Sequence, residues 1–334
     1  MALEKFRSRM IPPEKTAARV PFGNPPNAPT FEKAKVVVYG VPFDDTATFG
    51  KGSDRGPEAL RHSSARQIET FVVDEKIDLY KKVPIFDLGD FRVESKLTPE
   101  ERATLQDEQA SAAERERVIK KLDGALQQFD ALRGLTEELR KRDKIPLMIG
   151  GEHTLTYWTL AGVAREKPVV IHFDAHRDAK AEYRGMRLSH TTPMYHHLKE
   201  HGGGPDFIQI GIRQTDAEEQ AFMERSGIVT FYPADVRRGL AKVKSFISRK
   251  TRGRAVYVTF DIDALDIAYT PCTGTPEPFG LTPEEAVEIF RAIHSSARLV
   301  GADMMEVAIK NGDHREGTTA VQLLLRLLAR PCVR

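Results

Sequence analysis

The chain has 334 residues, 40% hydrophobic and 29% charged, and its 50 basic and 48 acidic side chains leave a formal charge of +2. That balance is ordinary for a globular chain with a sizeable core, and it excludes a global field of the kind that drives nucleic-acid or membrane-surface binding. Two cysteines, Cys272 and Cys332, cannot build a disulfide framework and fit a reducing compartment. Met1 to Val20 carries scattered charges and no apolar core, so it does not read as a secretory signal. No run approaches the roughly 18 apolar residues of a membrane span. The expectation is a cytoplasmic protein with neither nucleic acid nor membrane as partner.

Residues 1–34 hold six prolines, including Pro12-Pro13 and Pro25-Pro26, and no sustained period. They read as an N-terminal arm lying on the body or on a neighbouring subunit, with residues 35–334 as a single domain. Short apolar runs ending in glycine predict strands over 35–40 and 84–89. Residues 97–143 have a charged helical period, opened by Thr98-Pro99-Glu100-Glu101. Strands then follow over 145–150, 169–173, 207–210 and 255–260, with another opening at Leu299. Helices are predicted over 154–165, 283–294 and 318–329. Apolar strands alternating with helices imply an α/β fold in which a mostly parallel sheet is covered on both faces.

Residues suited to metal binding recur directly after the predicted strands, where parallel sheets build their sites. Gly150-Gly151-Glu152-His153 follows one strand, Asp174-Ala175-His176-Arg177-Asp178 a second, and Asp261-Ile262-Asp263 a third. A lone Asp-x-Asp is more often a helix cap or a turn. Five carboxylates and two imidazoles at three strand ends are a different matter. Such crowding is unfavourable unless cations neutralise it, and oxygen with imidazole donors and no thiolate suits manganese, with less selectivity against other divalent ions. Glu152 is expected to point away if His153 points in.

These segments resemble the successive signatures of the ureohydrolases, the arginase, agmatinase and formiminoglutamase family. So do Gly40 to Asp44, Arg55 to Arg61, Ser189-His190-Thr191-Thr192-Pro193, Thr273 to Pro278 and Gly301 to Val307. The resemblance covers roughly residues 36–330. It implies a three-layer αβα sandwich, two Mn2+ per subunit, and a homotrimer or homohexamer. By position, His153, Asp174, Asp178 and Asp261 would hold one ion. Asp174, His176, Asp261 and Asp263 would hold the other. His190 would shuttle a proton to the leaving amine, Glu306 would hold a guanidinium, and Asp178 would accept a hydrogen bond from a bridging hydroxide.

Thr275-Pro276-Glu277 resembles agmatinases and guanidino-acid hydrolases more than true arginases, and family frequency makes agmatine, hydrolysed to putrescine and urea, the leading substrate. Guanidinobutyrate or guanidinopropionate hydrolysis and formiminoglutamase activity stay open. The basic loop Arg177, Lys180, Arg184 and Arg187 either meets an acidic substrate tail or forms a solvated or intersubunit face. Phe279 would narrow the entrance, and Cys272 reads as structural. Two other classes remain: a one-zinc deacetylase of similar fold, and a metal-stabilised scaffold or regulatory relative. His153 and Asp178 together argue against the first, and retention of His190 and Glu306 against the second.

Overall fold

In the computed structural model, residues 4–333 are described apart from Pro26, Ile68, Ser95 and Glu108. Residues 1–3 and Pro26 of the expected arm lie outside them. The strands are β1 (Met10–Ile11), β2 (Val36–Val41), β3 (Phe71–Val72), β4 (Ile77–Asp78), β5 (Ile85–Phe91), β6 (Ile145–Gly150), β7 (Val169–Phe173), β8 (Phe207–Ile210), β9 (Val229–Phe231), β10 (Ala255–Asp261) and β11 (Arg298–Met305). The helices are α1 (Glu4–Arg7), α2 (Gly56–Arg66), α3 (Leu79–Lys82), α4 (Pro99–Gln106), α5 (Ala112–Leu126), α6 (Asp130–Lys141), α7 (Thr156–Val163), α8 (Pro193–His201), α9 (Ala217–Arg225), α10 (Pro233–Thr251), α11 (Pro283–Ala292) and α12 (Arg315–Leu328).

Nine strands form one sheet in the order β1-β5-β2-β6-β11-β10-β7-β8-β9. All pairs are parallel except β1 with β5. β3 and β4 make a separate hairpin. Alternation along β2 shows how the layers arise. Val36 and Val38 enter a core with residues of α2, α10, α11 and α12, whereas Val37, Tyr39 and Val41 pack with α4 to α7. With a period of two, a strand buried on both faces is apolar throughout.

The helical stretch expected over 97–143 is three helices. α4 ends at Gln106, and Ser111 with Glu114 forms a new capping box that starts α5. The segment before β2 packs on the body: β1 adds an antiparallel edge strand, and Phe6, Met10, Phe22 and Phe31 are buried. Its anchor is ionic as well. Buried Arg61 of α2 donates to Asp87 (2.7 and 3.0 Å) and Asp90 (2.5 Å) of β5, and Asp87 also accepts from the Phe22 backbone N–H at 2.7 Å. No helix among the described residues is long and apolar enough to cross a membrane.

Candidate active site

The sheet order makes β6, β11, β10 and β7 consecutive neighbours, so their carboxyl ends open at one place. His153 follows β6, Glu306 follows β11, Asp261 ends β10 with Asp263 just beyond, and Asp174, His176 and Asp178 follow β7. The turn after β6 needs glycine, because a Cβ on Gly151 would lie 1.9 Å from the Phe43 carbonyl oxygen. Asp178 (φ +51°) and Glu306 (φ +59°) adopt left-handed backbone without being glycine, a conformation that concentrates at functional positions.

His153 Nδ1 is buried and has no hydrogen-bond partner of good geometry. It lies 3.0 Å from Asp174 Oδ2, 3.0 Å from Asp178 Oδ2 and 3.3 Å from Asp261 Oδ2. His176 Nδ1 lies 3.5 Å from Asp174 Oδ1 and 3.1 Å from Asp263 Oδ2. Asp174 therefore stands between the two imidazoles. Burial opposes its charge, but the imidazoles of His153, His172 and His176 beside it hold it well below the usual carboxylate range. Burial and repulsion from Asp174 push Asp178 up to about 7, and burial with Asp263 and Asp174 raises Asp261 strongly. A buried imidazole nitrogen without a hydrogen-bond partner, set among converging carboxylate oxygens, fits a site for divalent cations, which would neutralise carboxylates that otherwise repel.

Beneath this cluster runs a polar row that strand reading missed. His172, Thr259 and Asp303 share one register row across β7, β10 and β11, with Gln209 of β8 at its end. His172 Nε2 lies 2.8 Å from Asp174 Oδ2, and Thr259 Oγ1 lies 2.8 Å from His153 Nε2. These contacts fix the ring orientations of groups facing the cluster. The available signal was polar residues inside otherwise apolar strands.

Glu152 does point away from the cluster, but it is fully buried and holds the loop after β2. It accepts from Thr46 N–H (2.8 Å), Thr46 Oγ1 (2.6 Å) and Ala47 N–H (3.0 Å). Thr46 Oγ1 in turn accepts from the His190 backbone N–H at 2.9 Å. His190 Nδ1 is enclosed without a partner, and the ring meets Tyr183 edge-on. Burial, with the charges of His176 and Lys51, pushes this imidazole down to about 3, so it is neutral. Glu306 accepts from the His153 N–H at 2.8 Å, and burial with repulsion from Glu152 pushes its carboxyl up to about 8. An acid so placed is suited to a cationic ligand.

The basic loop lies elsewhere. Arg177 is buried against Gln209, Thr230, Gln220 and Tyr232; Lys180 pairs with Asp216 and Glu219; Arg187 pairs with Glu200. Arg184 donates to the Leu105 and Gln106 carbonyls at the end of α4. The basic loop is thus committed to structural contacts, because a charge count does not reveal which acids and carbonyls the fold brings beside it. Phe279 is 78% exposed, and Arg237 holds its carbonyl. Cys272 is buried and free, and burial raises its thiol. Thr275 donates to Asp263 Oδ2 at 3.0 Å, and Glu277 reaches within 4.0 Å of His176 Nε2.

The Arginase family model matches residues 34–329. Agmatinase of Bacillus cereus is 33% identical over 284 residues, 84% of this chain and 86% of that protein. Among solved structures, agmatine ureohydrolase of Thermoplasma volcanium aligns with a TM-score of 0.72 at 27% identity, covering 91% of this chain and 92% of that one. Proclavaminate amidino hydrolase of Streptomyces clavuligerus aligns with a TM-score of 0.76 at 26% identity, covering 98% and 99%. Sheet order, strand-end cluster and likeness over nearly the whole chain agree: this chain belongs to the arginase family and is a ureohydrolase, acting on guanidino groups.

Proposed function

We propose that the protein hydrolyses agmatine to putrescine and urea, using two Mn2+ ions held by His153, Asp174, Asp178, Asp261, His176 and Asp263. When bound, the ions supply the Lewis acidity that makes water nucleophilic near neutral pH. The remaining work falls to the chain. Glu306 binds the guanidinium through charge-assisted hydrogen bonds and presents its carbon to the attacking water. Asp178 orients that water by accepting its hydrogen bond. His190, a neutral imidazole on a loop held by Thr46 and Glu152, takes up a proton and delivers it to the departing amine nitrogen. Collapse of the tetrahedral carbon then leaves urea. The protein works as a homotrimer or homohexamer in the cytoplasm.

The choice of agmatine rests on Glu277. Its carboxylate stands beside His176 and accepts from Gln214 (3.3 Å), while the Arg213 guanidinium, which feels its charge, is spent on backbone carbonyls, Glu277's own among them at 2.9 Å. Such an acid matches an ammonium tail. One observation favours a guanidino acid instead: the Lys51 ammonium, close enough to lower the basicity of His190, rests on the Asp44 carbonyl with no ion pair among the described residues. Comparing kcat/KM for agmatine and guanidinobutyrate in wild type, Glu277→Gln and Lys51→Ala separates the two. Agmatine preference that shrinks tenfold or more in Glu277→Gln supports agmatinase; preference for the acid, lost in Lys51→Ala, supports the alternative.

A further inference from the structure

Glu316 is fully buried in the first turn of α12, outside the cluster described above, and the chemistry does not use it. Its Oε1 accepts from the backbone N–H groups of Cys272 and Thr273, the latter at 2.7 Å, and its Oε2 accepts from the Ala308 N–H at 3.1 Å. One carboxylate therefore ties two separate loops to one helix end. Lys310 Nζ reinforces the tie by donating to the Thr273 carbonyl at 3.1 Å.

Both loops carry the site. The first continues through Gly274, whose carbonyl accepts from Gly50 N–H at 3.1 Å, to Thr275, which holds Asp263. The second begins at Glu306, in left-handed backbone, two residues before Ala308. A shift of either loop would move the acid expected to hold the guanidinium relative to the wall opposite it. Displacements of about 1 Å at such a distance from the reacting atoms are enough to cost about a hundredfold in rate.

We propose that Glu316 is a positioning residue that sets the spacing between Glu306 and the Thr273–Pro278 wall of the guanidinium pocket. It acts only through those loops and touches neither the substrate nor the metal-facing groups. The inference rests on the hydrolase reading above.

The two arms separate by substitution. Glu316→Ala removes both. Glu316→Gln keeps an oxygen for Cys272 and Thr273 but turns an amide N–H toward the Ala308 N–H, breaking only the second arm. With manganese-loaded protein and agmatine, Glu316→Ala should raise KM tenfold or more, with a smaller fall in kcat and unchanged metal content. Glu316→Gln should raise KM at least threefold. Hydrogen exchange should quicken at 272–273 and 308 in the Ala variant, and at 308 alone in the Gln variant. A KM within twofold of wild type in Glu316→Gln would overturn the proposal, even if the Ala variant does not fold. Wild type inactive on every guanidine would sink both this inference and the hydrolase reading. An active wild type matched by its Glu316 variants would sink this inference alone.

Discussion

The backbone N–H of His153 donates to Glu306 Oε1 at 2.8 Å, joining the turn after β6 to the turn after β11. The ring of His153 faces Asp174, Asp178 and Asp261, so one residue links the acid suited to a guanidinium with the cluster suited to cations. In Glu306→Gln the remaining carbonyl oxygen can still accept that N–H, while the charge is lost. We expect kcat/KM for agmatine to fall by about 30-fold, corresponding to roughly 2 kcal/mol of charge-assisted hydrogen bonding, with metal content unchanged. Steady-state kinetics showing less than a threefold loss would remove Glu306 from the substrate's reach.

Asp174 lies between His153 and His176, so it is one of the residues, with Asp261, whose charge both halves of the cluster would share. Asp174→Asn should bind manganese far more weakly and lose turnover together with it. Elemental analysis after dialysis checks this. Full occupancy with normal activity would contradict the shared-ligand assignment.

His190 is expected to act on protons and not on metal. Its replacement by Ala should lower kcat by roughly a hundredfold while manganese content stays at the wild-type level. A silent substitution would transfer the proton role to another group.

Arg61 is a stability prediction, far from the chemistry. Removing its guanidinium leaves Asp87 and Asp90 buried without their cation, and the tie to the Phe22 segment weakens. Arg61→Ala should cost about 3–5 kcal/mol in chemical denaturation. A loss below about 1 kcal/mol would mean that water or local rearrangement replaces the pair.

His197 gives a pH dependence. Burial, aided by His201, pushes its imidazole down to about 3, against an ordinary value of 6.5. Between those values the unfolded chain binds a proton that the folded chain refuses. Stability is therefore complete above pH 6.5 and declines as the pH falls, by about 1.4 kcal/mol per unit for this one group. Equilibrium unfolding at pH 6.5 and pH 5 should show a shallower decline in His197→Leu than in wild type. Equal slopes would mean that His197 protonates within the fold.

Much of this architecture was legible because the strands are largely apolar and the chemistry follows close after them. Asp174, Asp261 and His153 follow mostly hydrophobic runs, a local pattern. His172, Thr259 and Asp303 were not legible. Their alignment depends on the parallel register of β7, β10 and β11, which no one segment encodes. The break between α4 and α5 was hidden because the charged helical period runs through it, although Ser111-x-x-Glu114 carried the signal. The basic loop stayed open between two readings for a physical reason: Lys180, Arg184 and Arg187 find acids or carbonyls from α4, α8 and α9, brought near only by folding. Glu152 shows the converse: expected only to point away from the cluster, it organises the His190 loop through Thr46.

The most direct test is urea release by the wild-type protein, stripped of metal and reconstituted with manganese, on agmatine, arginine, guanidinobutyrate, guanidinopropionate and free guanidine. Urea and putrescine are expected from agmatine in equal amounts, lost on chelation and restored by manganese, with agmatine giving the highest kcat/KM of the five. A manganese-loaded protein that releases no urea from any of them would contradict that expectation.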